Sequence, residues 1–502
     1  MKRRTFIRST FAAAAATAIP NGRSLAALYE EAPQVPPDVA AITGGGKEVT
    51  LTSKAIADLQ ARLRGRVLLA GDDVYEQARQ VLNPSFDKHP AIIVQVTGTA
   101  DVRTAVDFAR ENDGLLLAVK CGGHSASGKS TCDGGMMIDL SPFRDVRVDP
   151  FLRTAQVTGG SLLGQLDHES MAYDLVTPMG TVSHTGVGGL VTGGGFGRVA
   201  RRFGLSVDNL LSVDVVTADG RLLHASDEEN ADLFWGVRGG GGNFGIVTSF
   251  EFRLHRMQRQ ILGGAILFPL ARARDVLTLF GDYGPVSPDE LQLDLLMLQP
   301  PEGAAGMVGF GVCYSGPPSG ADQALAPVRR LGTPMVDTMT GMDYVALQRS
   351  NDTDDPRAIA TYLKSGFVSS MPSDLVTAIV EGFEGRPDRQ TQLVFQQSGG
   401  AIGRVATGAT AFPQRDAQGN MLLGADWPHG SDPSEHIAWC RQYWTTLEPY
   451  THGFYSNDGD PDATVEAVAD NYRQNLERLV AVKNEYDPSN LFRLNANVQP
   501  TV

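Results

Sequence analysis

The sequence predicts an α+β fold built from two interleaved parts, and three observations carry that reading. Helical and strand periodicities alternate irregularly from Ser53 onward, without a regular strand-helix-strand succession. Three glycine-dense segments fall close together, between residues 120 and 245. Beyond about Arg256 a different stretch of strands and helices runs to about Tyr450, and the last fifty residues return to a helix and an asparagine-rich tail.

Taken in order, the first 26 residues stand apart. Lys2, Arg3, Arg4 and Arg8 make a basic start, and Arg3-Arg4-Thr5-Phe6-Ile7 has the form of a twin-arginine export signal. The alanine-rich run 11–19 is far short of the ~20 apolar residues that a spanning helix needs, and Ser24-Leu25-Ala26 offers a small-residue cleavage site. The expectation is a protein handed to the twin-arginine machinery, periplasmic or secreted, with no stable membrane insertion. Residues 27–52, with their prolines and Gly44-Gly45-Gly46, read as a linker.

A first domain is expected over 53–255. Ile56, Leu59 and Leu63, then Tyr75, Ala78, Val81 and Leu82, mark short helices. Val102, Ala105, Val106 and Ala109 repeat at helical spacing. Strands are expected at 91–96, 115–119, 136–140 and 155–157, with a helix over 162–171. Asp219-Gly220 joins the strands 211–217 and 222–225 as a hairpin. The second domain, 256–450, has strand candidates at 291–298, 307–312 and 392–396 and helices at 321–330 and 434–446. The segment 451–502 is expected to complete the first domain.

The net charge of −14 gives no basic face for a nucleic acid. Four cysteines, none in a CxxC or histidine-rich cluster, support neither a disulfide scaffold nor a metal site.

The chemistry concentrates in the glycine segments: Lys120-Cys121-Gly122-Gly123-His124-Ser125-Ala126-Ser127-Gly128, then GVGGLVTGGGFG over 186–197, then Gly239-Gly240-Gly241-Gly242-Asn243-Phe244-Gly245. Glycine lets backbone approach a ligand closely and adopt positive φ, so successive N–H groups can converge on an anion such as a diphosphate. A nicotinamide-binding reading of Gly240, Gly242 and Gly245 fails on context. A β-branched strand, Ile246-Val247-Thr248, follows where that fingerprint needs a helix, and no acidic residue lies twenty positions on.

These loops, with the C-terminal Tyr486-Asp487-Pro488-Ser489-Asn490-Leu491-Phe492 and Asn495-Ala496-Asn497, resemble the berberine-bridge-enzyme-like group of FAD-linked oxidases, in the vanillyl-alcohol-oxidase (PCMH-type) superfamily. The resemblance runs from about Leu59 to Asn497. It implies a two-part PCMH-type FAD-binding domain interrupted by a substrate domain with an antiparallel sheet and flanking helices. It implies FAD joined by a single covalent link to His124. The cofactor cradle would comprise Lys120, Cys121, Gly122, Gly123, Ser125 and Gly128 around His124. To these it adds Thr185, Gly186, Gly188, Gly189, Leu190, Gly193, Gly194, Gly195 and Gly197, then Asp208, Asn209, Gly245, Ile246, Val247, Asn495 and Asn497. Where many relatives add a second bond from a cysteine, this chain has Val182, and the neighbouring His184 is expected to be a hydrogen-bonding residue. Cys121 reads as a small residue or as a partner for Cys132.

The resemblance further implies hydride transfer from an alcohol, lactol, amine or aromatic natural product to the flavin, with O2 reoxidising it to give H2O2. A catalytically impaired flavin carrier and an O2-insensitive dehydrogenase are the alternatives. The family's base position, a tyrosine, falls on Asp458 within Phe454-Tyr455-Ser456-Asn457-Asp458. A partly buried aspartate there would have a raised pKa and could act as general base. The other reading is a surface turn at Asn457-Asp458-Gly459, with Tyr455 as second candidate base. Thr185 would sit beside the oxygen-reactive carbon. On the second domain, Tyr362, Lys364, Gln396 and Gln397 are candidate substrate contacts.

Overall fold

The computed structural model describes residues 35–300, 305–355, 357–383, 390–459 and 461–502. The expected twin-arginine signal, residues 1–26, lies outside the described residues. No helix among them is long and apolar enough to cross a membrane.

The first part of the molecule is built on two sheets. One has the strand order Arg66–Leu68, Ile92–Gln95, Met136–Asp139, Leu117–Lys120; the last three run parallel, with helix Thr99–Glu111 crossing over between the outer two. That helix forms because Val102, Ala105, Val106 and Ala109 fall on one face, and all four are fully buried against the sheet. The other sheet is antiparallel: Leu222–Ser226, Leu210–Val216, Ile246–Arg253, Thr154–Thr158, Val146–Asp149. Its hairpin turns at Asp219-Gly220, where Gly220 has φ +80.

The expected linker is corrected over its described part. Val39–Ile42 and Glu48–Leu51 pair as an antiparallel ribbon, and Ala41 and Leu51 are buried in the core around helix Thr99–Glu111. Apolar residues at alternating positions made this short ribbon, and neighbouring glycines masked it.

The second part is an eight-stranded antiparallel sheet. Its main path runs Val336–Asp337, Gln260–Pro269, Met307–Tyr314, Leu291–Gln299, Gln390–Gln397, Gly419–Pro428, Ile359–Val368, with Thr340–Asp343 also paired to Gln260–Pro269. Helices Ala273–Tyr283, Ala321–Arg329, Ser373–Gly382 and Ser434–Leu447 pack into one core with residues of this sheet such as Leu393, Phe395, Met421 and Leu423. The strands alternate, so Phe367, Asn420 and Gln396, which are cross-strand neighbours, lie on the opposite face.

Helix Leu476–Tyr486 brings the chain back to the first part. There the Asn243 side chain donates to Ala496 O at 2.9 Å and accepts from Val498 N at 2.9 Å. Lys483 and Asp487, both fully buried, form an ion pair at 2.6 Å.

Candidate active site

The three glycine segments and two stretches of the C-terminal segment converge on one cavity of about 380 Å³. His124, Thr185, Leu190, Gly245, Tyr455, Asp458 and Asn495 line it together with Gln396 from the large sheet. Gly189 and Gly242 also line it, and a Cβ built on either would meet nothing within 4 Å. Protein packing therefore does not require glycine at these two positions; the bare backbone keeps the cavity wall open to a ligand. Gly122 and Gly186 play a different part. A Cβ on Gly122 would come within 2.3 Å of Gly186 N, so two of the loops touch backbone to backbone.

His124 is held at both nitrogens. Nε2 lies 2.7 Å from Nδ1 of His184, and Nδ1 lies 3.2 Å from the Thr185 hydroxyl. Burial, with the adjacent His184 second, lowers its pKa to about 4, so the imidazole is neutral at ordinary pH.

Asn457-Asp458-Gly459 does not lie on the surface: none of the three is exposed. The backbone is a turn, with Asp458 N and Gly459 N donating to Tyr455 O at 3.0 and 2.9 Å. The Asp458 side chain nevertheless faces the cavity and accepts from Asn420 Nδ2 at 2.8 Å. Burial raises its carboxyl to about 7, against the smaller opposing effect of that hydrogen bond. Tyr455 is engaged instead in structure. Its hydroxyl accepts from Gly195 N and from Asn457 Nδ2, each at 2.7 Å, and burial pushes its pKa well above the usual phenol value.

Several expected contacts lie elsewhere. Asp208 forms a buried bidentate pair with Arg415 at 2.7 and 2.8 Å, and the Asn209 amide donates to Phe203 O and Leu205 O; both brace the chain behind the cavity. The Lys120 ammonium is buried and donates to Ala78 O. Gly128, Gly193, Gly194, Gly195 and Gly197 are not in the lining; they serve close packing, as at Gly197, where a Cβ would fall 1.7 Å from Met179 O. Asn497 is likewise absent from the lining. Tyr362 and Lys364 share the parity of residues that pack on the helices, and both bind Asp462, Lys364 at 3.0 Å. Gln397, one position from Gln396, is buried on the far face and bonds Gly284 O.

All four cysteines are free thiols. Cys121 packs behind the loop against Ser161, and burial raises its pKa to about 11. Val182, where the sequence resemblance put a second link, lines the cavity. Asn420 carried no sequence signal of its own. Its parity with Gln396, to which it donates at 2.9 Å, emerges only once the strands are in register. No group of metal-ligating residues occurs among the described residues.

A family model described as "FAD binding domain" matches residues 90–226, and one described as "Berberine and berberine like" matches 454–499. Over 441 residues the chain is 30% identical to an FAD-linked oxidoreductase of Dictyostelium discoideum, covering 87% of this chain and 95% of that one. The chain belongs to the berberine-bridge-enzyme-like family of FAD-linked oxidoreductases. Among solved structures it is similar to 6-hydroxy-D-nicotine oxidase of Arthrobacter nicotinovorans, at 28% identity and TM-score 0.79, covering 87% of this chain and 98% of that one. It is also similar to the carbohydrate oxidase of Microdochium nivale, at 26% identity and TM-score 0.80, covering 89% and 100%. As a family member the chain binds FAD, and the open glycine walls and the histidine loop fit that group.

Proposed function

We propose that this family member is an exported oxidase that carries FAD on a single covalent bond from His124 and uses Asp458 as its general base. The observation that carries the reading is that both side chains line one cavity, with Gln396 beside them on the sheet side. When bound there, FAD supplies the two-electron acceptor. Asp458, whose carboxyl burial raises to about 7, can take the hydroxyl or amine proton of a donor molecule when ionised. Asn420 fixes the carboxylate's direction by donating to it. Thr185 lines the same wall with a small side chain, which leaves room for O2 as the acceptor that yields H2O2. Val182 has no nucleophile, so one bond is expected, not two.

The substrate is a small organic C–H donor: an alcohol, lactol, amine or aromatic natural product. Two of the similar proteins are named as a nicotine-derivative oxidase and a carbohydrate oxidase. A panel of those classes, scored for anaerobic bleaching of the flavin and for H2O2 in air, tests the activity. The acid-precipitated protein should stay yellow, with the flavin on the peptide that contains His124. A colourless pellet under a yellow supernatant would refute the covalent bond. For export, Arg3→Lys with Arg4→Lys should leave an FAD-loaded precursor in the cytoplasm, and undiminished delivery would refute the twin-arginine route.

A further inference from the structure

The segment that carries Asp458 is fastened to the large sheet on both of its faces. Strand Ile359–Val368 ends the sheet's main path, and the C-terminal segment covers its outer edge. Phe367 and His452 exchange backbone hydrogen bonds at 3.2 and 3.0 Å, and Tyr455 N donates to the Ser365 hydroxyl at 3.4 Å. Asp458 then meets Asn420 on the cavity face, at 2.8 Å. Four positions on, Asp462 is bound on the opposite face, where Tyr362 packs into one core with helix Ser434–Leu447. Its carboxylate accepts two hydrogen bonds from Arg441 of that helix, at 2.7 and 2.9 Å, and a third from the Tyr362 hydroxyl. It also pairs with the Lys364 ammonium at 3.0 Å.

Asp462 is exposed, and a lone surface ion pair there would fix little. Contacts from three side chains on two elements are a different case, because the bidentate guanidinium sets direction as well as distance. Arg441, then Tyr362 and Lys364, hold the Asp462 carboxyl well below the usual carboxylate range. The chain from Tyr455 to Asp462 is thus a strap around the sheet edge, tied at both ends. We infer that Asp462 is a positioning residue for Asp458: its ties on the helix face keep the strap closed and so hold the Asp458 carboxylate against Asn420 on the cavity face. Asp462 does not line the cavity, and its part in the chemistry rests on the reading of Asp458 as general base. A displacement of ~1 Å costs a reacting group up to roughly 10²-fold in rate.

The test needs no donor molecule, so its outcome is separate from whether Asp458 serves as the base. Flavin-loaded enzyme is titrated by infrared spectroscopy, and the Asp458 carboxyl is assigned by subtracting the spectra of Asp458→Asn. That subtraction sets aside Asp167 and Asp426, which burial also raises, to about 7 and about 6. The other titratable groups on the cavity wall, Cys121, His124, Lys129 and Tyr455, have no carboxyl band. In wild type the band should titrate near 7.

Asp462→Ala opens the strap and lets water reach the carboxyl, so the midpoint should fall by ~1 unit or more. Loss of the Asp462 charge would lower it too, which makes Lys364→Met with Arg441→Ala the deciding variant. Removing two cations raises the midpoint through charge alone, whereas opening the strap lowers it. In both variants the amides of 456–459, among them Asp458 N and Gly459 N, should exchange with deuterium at least ~10-fold faster, with the histidine loop unchanged. A midpoint that rises or stays in the double variant, or exchange at the wild-type rate in either, overturns the inference. Should one variant fail to fold, the exchange rates of the other decide. A wild-type Asp458 that titrates in the usual carboxylate range removes support from the base reading, while the exchange comparison still decides the strap.

Discussion

Asp458 shows how one side chain can leave a turn and enter a site. Its backbone closes on Tyr455 O, while its carboxylate is enclosed by protein and held by Asn420. The charged form is disfavoured, so the group ionises near pH 7 and not in the usual carboxylate range. With Asp458 as base, the flavin-reduction rate should rise as pH passes upward through about 7, because only the ionised form accepts a proton. Asp458→Asn should lose that limb and slow reduction by roughly 10²–10⁴, leaving reoxidation by O2 nearly unchanged. Tyr455→Phe should instead lower the melting temperature, since Gly195 N and Asn457 Nδ2 lose a buried acceptor. Stopped-flow reduction of the two variants decides between them: a normal rate in Asp458→Asn with none in Tyr455→Phe would make the phenol the base.

At the level of elements, the glycines divide into two functions that composition does not distinguish. Gly189→Ala and Gly242→Ala place a methyl where no protein atom stands within 4 Å. They should melt like wild type but be purified with less flavin per chain. Gly197→Ala drives a methyl against Met179 O and should destabilise the fold itself, by more than the ~1 kcal/mol of a typical substitution. The ratio of flavin to protein, read beside a thermal melt, separates the two classes. The hairpin at Asp219-Gly220 was legible because it rests on a local backbone demand, whereas of the histidine loop and the glycine run only a part, among it His124, Gly186, Gly188 and Gly189, faces the cavity. The substrate side was not legible. Tyr362, Lys364, Gln396 and Gln397 look alike in the sequence, whereas a strand's two faces differ only by parity, and register between distant strands has no local code. Asp208 was misplaced for a related reason: its partner, Arg415, lies 207 residues away.

Across the whole molecule, the C-terminal segment is anchored by charge as well as by packing. The Lys483 ammonium donates to Asn243 O and Phe492 O besides pairing with Asp487, whose carboxylate also receives Leu491 N and Phe492 N. Lys483→Met would strand a buried carboxylate and should cost about 3–5 kcal/mol, seen as a lower unfolding midpoint and released FAD wherever the flavin is not yet covalently bound. The Asn243 bridge to Ala496 spans 253 residues, and that distance has a temporal meaning. During synthesis the histidine loop and the glycine run emerge well before the wall that contains Asp458 and Asn495. Contacts of such long separation form late and slowly. The cavity therefore cannot close around its cofactor until those residues have joined the first part: a product truncated before them, however well its first domain folds, has no complete place to hold FAD.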